Sequence, residues 1–408
     1  MPSLSARGTR LAARSPLSEY MVVSREHADR RWTPNRQDGF IDMSTAENKL
    51  MWDLIGPVIS AARDVPPRAI GYDDIRGNPT LRSAVARFAS ATFLGAPIEA
   101  DDVCVMAGAG AVLEATFWAL CEPEDGVLVP TPGYAGFWMD LENRDEATIV
   151  PVPTNARTGF RLTVEALDRA WESTDRPIRA LLLASPDNPT GRVLDAGELT
   201  DVIAWIRERR IHLVSDEIYA LSVYGDDRFV SVSELTDLAH DIHIVWAISK
   251  DFAASGLRCG FLFSKNAELK AAVSGQAIWS AASGQTQHFV SELLCDGPWI
   301  ERYVSEMRRR LGTAHRTVSD ALVDAEIPHL PASAGFFLLA DLRRWLPVPT
   351  FEAERDLWRR IVDAGVNLTP GKAIRSPEPG LFRMCFTATP TESLSLAVDR
   401  IRRAVASG

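Results

Sequence analysis

The strongest constraint on this chain is a repeated alternation. Between residues 103 and 264, short β-rich apolar runs ("VCVMA", "GVLVP", "TIVPVP", "IRALLLASP", "IHLVSDE", "HIVWAIS", "CGFLFS") are interspersed with helical stretches such as "AVLEATFWALC" and "AGELTDVIAWIRERR". Several of the runs are continuously apolar rather than alternating. A strand that is apolar on both sides must be covered on both faces, which predicts an α/β sheet held between helices. With 408 residues, 46% of them apolar, the chain can bury such a sheet and a second unit as well. After about Trp299 the pattern changes to a long amphipathic helix, "IERYVSEMRRRLGTAHRTVSDALVDA", followed by "AGFFLLADL" and "LFRMCFT". The expected division is an N-terminal arm over 1–40, a large α/β domain over 41–300 and a smaller α+β domain over 301–408 that takes in part of the N-terminal segment. The first residues are Arg- and Ser-rich, as a transit peptide is, but Glu19, Glu26 and Asp29 and the lack of an apolar stretch favour an arm.

A net charge of -10 disfavours nucleic acid and anionic membrane surfaces, both of which require a basic face, and leaves small molecules as partners. No apolar run approaches the roughly 20 residues of a membrane span. The five cysteines are scattered and never form C-x-x-C, and the seven histidines form no H-x-x-x-H or H-E-x-x-H pair. We therefore expect a cytoplasmic protein without a disulfide framework or a metal.

Ligands of open α/β sheets bind beyond the carboxyl ends of the strands. Four polar clusters stand there: "MAGAGAVLEA", "SPDNPTG", "SDEIYA" and "SKDFAASGLRCG". Each has a plain reading. Gly108, Ala109 and Gly110 open a helix whose free N–H groups suit a phosphate, and they equally suit a tight turn. Asp216 is placed to cap a helix, and Asn188 precedes a proline, as turn residues do. Lys250 is harder to dismiss, because an ammonium at the end of a buried strand either snorkels outward or is desolvated toward a nucleophilic amine. Taken together, the clusters offer a lysine for a Schiff base, a carboxylate for a pyridinium proton, an Asn and a Tyr for a phenolic oxygen, and a phosphate cup with an arginine. That set describes a site for pyridoxal 5'-phosphate.

The motifs "SPDNPTG", "SDEIYA", "SKDFAASGLRCG" and "FRMCF", in this order, resemble the fold-type I pyridoxal-phosphate enzymes of the aspartate aminotransferase superfamily. "IDMSTAENKLMWDLI", "PTPGYAGFWMDL" and "SGQTQHF" are similar to the 1-aminocyclopropane-1-carboxylate (ACC) synthase-like branch. The resemblance implies a large domain with a mostly parallel seven-stranded sheet, a homodimer, and an α-amino acid substrate handled through aldimine and quinonoid intermediates. It also implies roles for individual residues. Lys250 would hold the cofactor and move the Cα proton, Asp216 would pair with the pyridine nitrogen, and Tyr219 and Asn188 would bond the phenolic oxygen. Tyr134 would stack on the ring. Gly108, Ala109, Gly110, Ser249 and Arg258 would surround the phosphate. Arg383 would clamp the substrate α-carboxylate, with Ala46, Glu47 and Ile75 also on the substrate side.

The chain departs from the branch in three places. Gly110 stands where a hydroxyl residue is usual, and Ala247 where a serine is common three residues before the lysine. In "YDDIRGNPTLR", Ile75 stands where a tyrosine is normally lent by the neighbouring subunit. Loss of that phenol counts against cyclopropane formation, although Tyr72 lies nearby. The expected chemistry is a lyase or transferase reaction at Cγ of S-adenosylmethionine or another γ-substituted amino acid, in a bacterial biosynthetic setting. The alternatives are a class I/II aminotransferase and a cofactor-binding protein without catalysis.

Overall fold

The structure is a computed structural model and describes residues 3–13, 17–62, 64–238 and 240–406. Its strands in chain order are β1 (Ile41–Asp42), β2 (Val103–Met106), β3 (Gly126–Thr131), β4 (Thr148–Pro153), β5 (Ile178–Ala184), β6 (His212–Asp216), β7 (Ile242–Ala247), β8 (Gly260–Phe263), β9 (Phe337–Asp341), β10 (Val366–Asn367) and β11 (Leu381–Cys385). Strands β2 to β8 form a seven-stranded sheet in the order β2-β8-β7-β6-β5-β3-β4. Strands β4, β3, β5, β6 and β7 pair parallel, whereas β8 runs antiparallel to both β7 and β2.

The apolar runs are the sheet. Every residue of β2 and β7 is buried, and in β5 only Arg179 is exposed, as expected of strands covered on both faces. The helices before and between them begin where the sequence supplies caps. The side chain of Asn78 accepts from Thr80 N at 2.8 Å at the head of Pro79–Thr92, and that of Asp195 from Glu198 N at 2.8 Å at the head of Ala196–Arg209. Helix Ala196–Arg209 ends at Arg210 in the left-handed region, φ 55°.

This topology places the site. The carboxyl ends of β2, β3, β5, β6 and β7 lie on one rim, and because β8 is antiparallel its amino end lies there too. Sequence reading put Lys250 at a strand end. In the structure β7 stops at Ala247, and Lys250 projects from a single helical turn, Ile248–Asp251. Asp251 anchors that turn: its buried carboxylate accepts from Trp246 Nε1 at 2.9 Å, Ser222 Oγ at 2.6 Å and Leu221 N at 3.2 Å.

A second unit packs against the sheet, built on antiparallel β9 and β11 with helices Phe351–Asp363 and Leu394–Ala406. Helix Gly297–Asp324 runs across the division expected near residue 300. Of the expected arm, residues 1–2 and 14–16 lie outside the described residues. The remainder is more than a loose arm: Tyr20, Trp32 and Phe40 are buried, and β1 pairs parallel with β10. Asn367 ties the two together by donating from Nδ2 to Tyr20 O at 2.9 Å and Asp42 Oδ1 at 3.2 Å. Among the described residues no helix is long and apolar enough to cross a membrane.

Candidate active site

At the rim lies a cavity of about 200 Å³, lined by Ala109, Gly110, Tyr134, Asn188, Asp216, Tyr219, Ser249, Lys250 and Arg258, with Leu113, Asp140, Ala184, Ile218 and Ser255 completing the wall. Nine of the fourteen residues singled out in the sequence therefore converge on one space, from the carboxyl ends of β2, β3, β5, β6 and β7 or the segments that follow them and from the turn that leads into β8. A second cavity of about 420 Å³ adjoins it, shares Tyr134 and Lys250, and contains Ala46 and Arg383.

Lys250 sits where the two cavities meet. Its Nζ donates to the backbone carbonyl of Ala46 at 2.6 Å, and burial holds its pKa down at about 8, against 10.5 for a free lysine. Such an amine is still mainly protonated at pH 7 but loses its proton far more easily than a free lysine. Asp216 ends β6 with its Oδ1 accepting from Ile218 N at 3.2 Å, and burial pushes its carboxyl up to about 7. A carboxylate buried with so little compensation favours a cationic partner in the cavity. Tyr219 is buried edge-on between Phe336 and Phe337, with ring centroids 5.2 and 5.4 Å away. Tyr134 is half-exposed at the cavity lip, where its ring meets Phe137 edge-on at 5.2 Å.

The cup opposite is built by close approach. Gly108 has φ 94°, and a Cβ there would stand 2.5 Å from Arg258 Nη2. A side chain at Gly260, at the start of β8, would collide with the backbone of Gly108. The reversal of β8 thus brings Arg258 beside the head of helix Ala109–Leu120, whose first N–H groups have no intrahelical acceptor.

Arg383, on β11, is buried and triply held. Nη1 donates to Asn188 Oδ1 at 2.9 Å, while Nη2 donates to Ser44 O at 2.7 Å and Thr369 Oγ1 at 3.1 Å. Its Nε is buried without a partner. Because Asn188 receives Arg383 on its oxygen, its amide NH2 remains as a donor, so one side chain links the two cavities.

Three candidates line neither cavity in the single chain: Gly108, which backs the cup through its contact with Arg258, Glu47 and Ile75. Glu47 is exposed and paired with Lys49 at 3.5 Å, although its charge acts on the Lys250 ammonium. Ile75 is 48% exposed on the surface. Conversely, Asp140 was missed. It belongs to helix Gly136–Glu142, and a Cβ on Gly110 would lie 3.2 Å from its Oδ1. Its carboxyl therefore faces the position where a hydroxyl residue was expected. A lone acid in the otherwise apolar "GFWMDL" was the available signal.

Burial pushes Asp140 up to about 7, opposed by Arg258 and reinforced by Glu114. Raising the pH through 7 adds a negative charge beside the cup. We expect Asp140→Asn to bind pyridoxal 5'-phosphate about as well as the parent chain at pH 6 and up to about tenfold more tightly at pH 8.5, where one pK unit corresponds to ~1.4 kcal/mol. Equilibrium dialysis at the two pH values measures this, and a pH-independent ratio would count against it.

The donor set suits pyridoxal 5'-phosphate: an amine of lowered pKa, a buried carboxyl in need of a cation, and an arginine beside free backbone N–H groups. The family described as aminotransferase class I and II matches residues 39–401. The chain is 35% identical over 389 residues to 1-aminocyclopropane-1-carboxylate synthase 6 of Arabidopsis thaliana, covering 90% of this chain and 78% of that protein. It is also 35% identical over 390 residues to 1-aminocyclopropane-1-carboxylate synthase of Glycine max, covering 90% and 81%. Among solved structures, aspartate aminotransferase from Thermus thermophilus with maleate superposes with a TM-score of 0.85 at 24% identity, over 99% of this chain and 100% of that one. At that identity the likeness concerns the fold.

Proposed function

The chain belongs to the class I and II aminotransferase family of pyridoxal-phosphate enzymes, near the ACC synthases, and from that premise we propose that it removes the Cα proton of an α-amino acid and expels or replaces a substituent at Cγ. The observation that carries the first half is Lys250, an amine of lowered pKa standing between a cofactor-sized cavity and a cavity that contains a buried arginine. The names of the relatives support the second half.

When bound, pyridoxal 5'-phosphate supplies an electron sink for the charge left on Cα. Lys250, Asp216, Tyr219, Asn188, Tyr134, Ser249, Arg258 and the Gly108–Gly110 turn would hold it. Arg383 receives the α-carboxylate on its open Nε edge, and its bonds to Asn188, Ser44 and Thr369 fix the guanidinium plane. Lys250 takes the Cα proton, and the Ala46 carbonyl 2.6 Å from Nζ orients the amine for that transfer.

Incubating the holoenzyme with S-adenosylmethionine should release 5'-methylthioadenosine while the cofactor stays in its pyridoxal form, with no amino group passed to it. A stable pyridoxamine phosphate form with common amino acids, and no methylthioadenosine, would establish transamination instead and overturn this reading.

We further read the chain as a cytoplasmic homodimer. Its five cysteines are unpaired, as in a reducing compartment. Ile70, Tyr72 and Trp279 are 81%, 110% and 82% exposed, and Ile75 is borne on the same segment. That segment is held to the edge of the sheet by Val105 N donating to Arg76 O, and Ser280, which follows Trp279, is held there by Ala107 N donating to Ser280 O. A second copy would cover these groups and receive Ile75 at its own site; sedimentation at the monomer mass would contradict it.

A further inference from the structure

We propose that the outer cavity is an anion subsite, which receives a second negatively charged group, a carboxylate or a phosphate, beyond the α-carboxylate held at Arg383. This rests on the function proposed above, because it takes that cavity as the substrate side of Lys250.

The cavity of about 420 Å³ is lined by Lys250, Lys372, Arg375 and Arg383 and by no Asp or Glu. In a chain of net charge -10 that is an unusual concentration of cations. Two of them already have work: Lys250 is the reacting amine and Arg383 takes one carboxylate. Lys372 and Arg375 are left over, and among the described residues neither has an ion-pair partner within 4.0 Å.

Both residues are exposed, and their backbone is held in place. Both lie on the segment 370–380, which Glu354 pins by accepting from Lys372 N at 2.9 Å and Gly380 N at 2.6 Å. The carboxylate of Glu354 is thus engaged by backbone and does not pair with the Lys372 ammonium. Arg375 has a left-handed backbone, φ 55°, which a non-glycine residue rarely adopts. Its guanidinium lies 5.1 Å over the ring of Trp138, another residue of the cavity wall. An arginine stacked in this way keeps its N–H edges free for a planar or tetrahedral oxyanion. The same pair repels a cationic side chain placed there, so the subsite selects by charge.

The anion has two possible sources: a second acidic group on the amino acid's own side chain, or an anionic second substrate that enters beside a neutral or cationic amino acid. Calorimetric titration of the holoenzyme with butyrate, succinate and inorganic pyrophosphate separates them. If the side chain carries the charge, succinate binds at least about tenfold more tightly than butyrate, equivalent to ~1.4 kcal/mol. If a second substrate carries it, succinate and butyrate bind alike and pyrophosphate binds to enzyme already saturated with butyrate. In either case the double substitution Lys372→Ala with Arg375→Ala removes the extra affinity for the dianion. The proposal is overturned if neither dianion is favoured, or if the preference survives that double substitution. An Arg383→Ala control keeps the two readings apart: it tests α-carboxylate binding through butyrate, whereas the subsite is judged by Lys372 and Arg375.

Discussion

Replacing Lys250 with alanine is expected to lower turnover by at least about 10³-fold, within the range that a positioned acid–base group contributes. The argument is geometric. Among the residues shared by the two cavities, Lys250 is the one that can act as a nucleophilic amine, since Tyr134 is the other. Burial holds its pKa at about 8, so an appreciable share of the amine is neutral at working pH. Two further readouts separate this role from mere damage to the fold. Reduction with borohydride should fix the cofactor's mass to the peptide containing Lys250 in the parent chain and not in the variant. Small primary amines added to the variant should restore part of the rate, because they can move a proton without being tethered. Lys250→Arg should behave like Lys250→Ala, because a guanidinium keeps the charge but is neither nucleophile nor base at neutral pH. Persistence of the attached mass in the variant would show that another residue carries the cofactor.

The second large effect is at Arg383. Arg383→Ala should raise the KM for the amino acid by roughly 10- to 100-fold, since a hydrogen bond to a charged group is worth about 1.5–3 kcal/mol and the Nε–H is left open for the carboxylate. Arg383→Lys should recover little. The ammonium keeps the charge, but it cannot reach Asn188, Ser44 and Thr369 together while leaving a fixed N–H for the substrate. Loss of the guanidinium also leaves Asn188 Oδ1 without its donor, so cofactor affinity should weaken in the same variant. A variant whose kcat falls while KM stays constant would assign Arg383 to the reacting atoms instead.

Much of this site could be read before any coordinates, for a physical reason. A strand buried on both faces has to be apolar throughout, so the polar residue that ends the run stands out. Asp216 after "IHLVS" and Lys250 after "HIVWAIS" are such breaks. What was not legible depends on contacts between distant parts of the chain. Nothing in "CGFLFS" says that β8 runs antiparallel between β7 and β2, yet that reversal is what sets Arg258 against Gly108. Ser44 and Thr369, which hold Arg383, lie 339 and 14 residues from it; Ser44 stands in "IDMSTAENKLMWDLI" with nothing there to point to Arg383, and Thr369 is in no motif. Residues near the amino terminus gave no helical or strand period long enough to show that Tyr20 and Trp32 would be buried. Asp140 was hidden because its helix, Gly136–Glu142, looks like packing. Nothing in "TPGKAIRSPEPG" marks Lys372 and Arg375, which the fold places around one cavity.

The most direct test of the account is hydrogen exchange at Cα. The holoenzyme is incubated in buffered D2O with an amino acid that lacks a leaving group at Cγ, and the Cα–H signal is followed by NMR. That signal should be lost steadily in the parent chain and retained in Lys250→Ala loaded with the same cofactor. Exchange that proceeds equally in both proteins, or methylthioadenosine release from S-adenosylmethionine by a parent chain that shows no exchange, would contradict it.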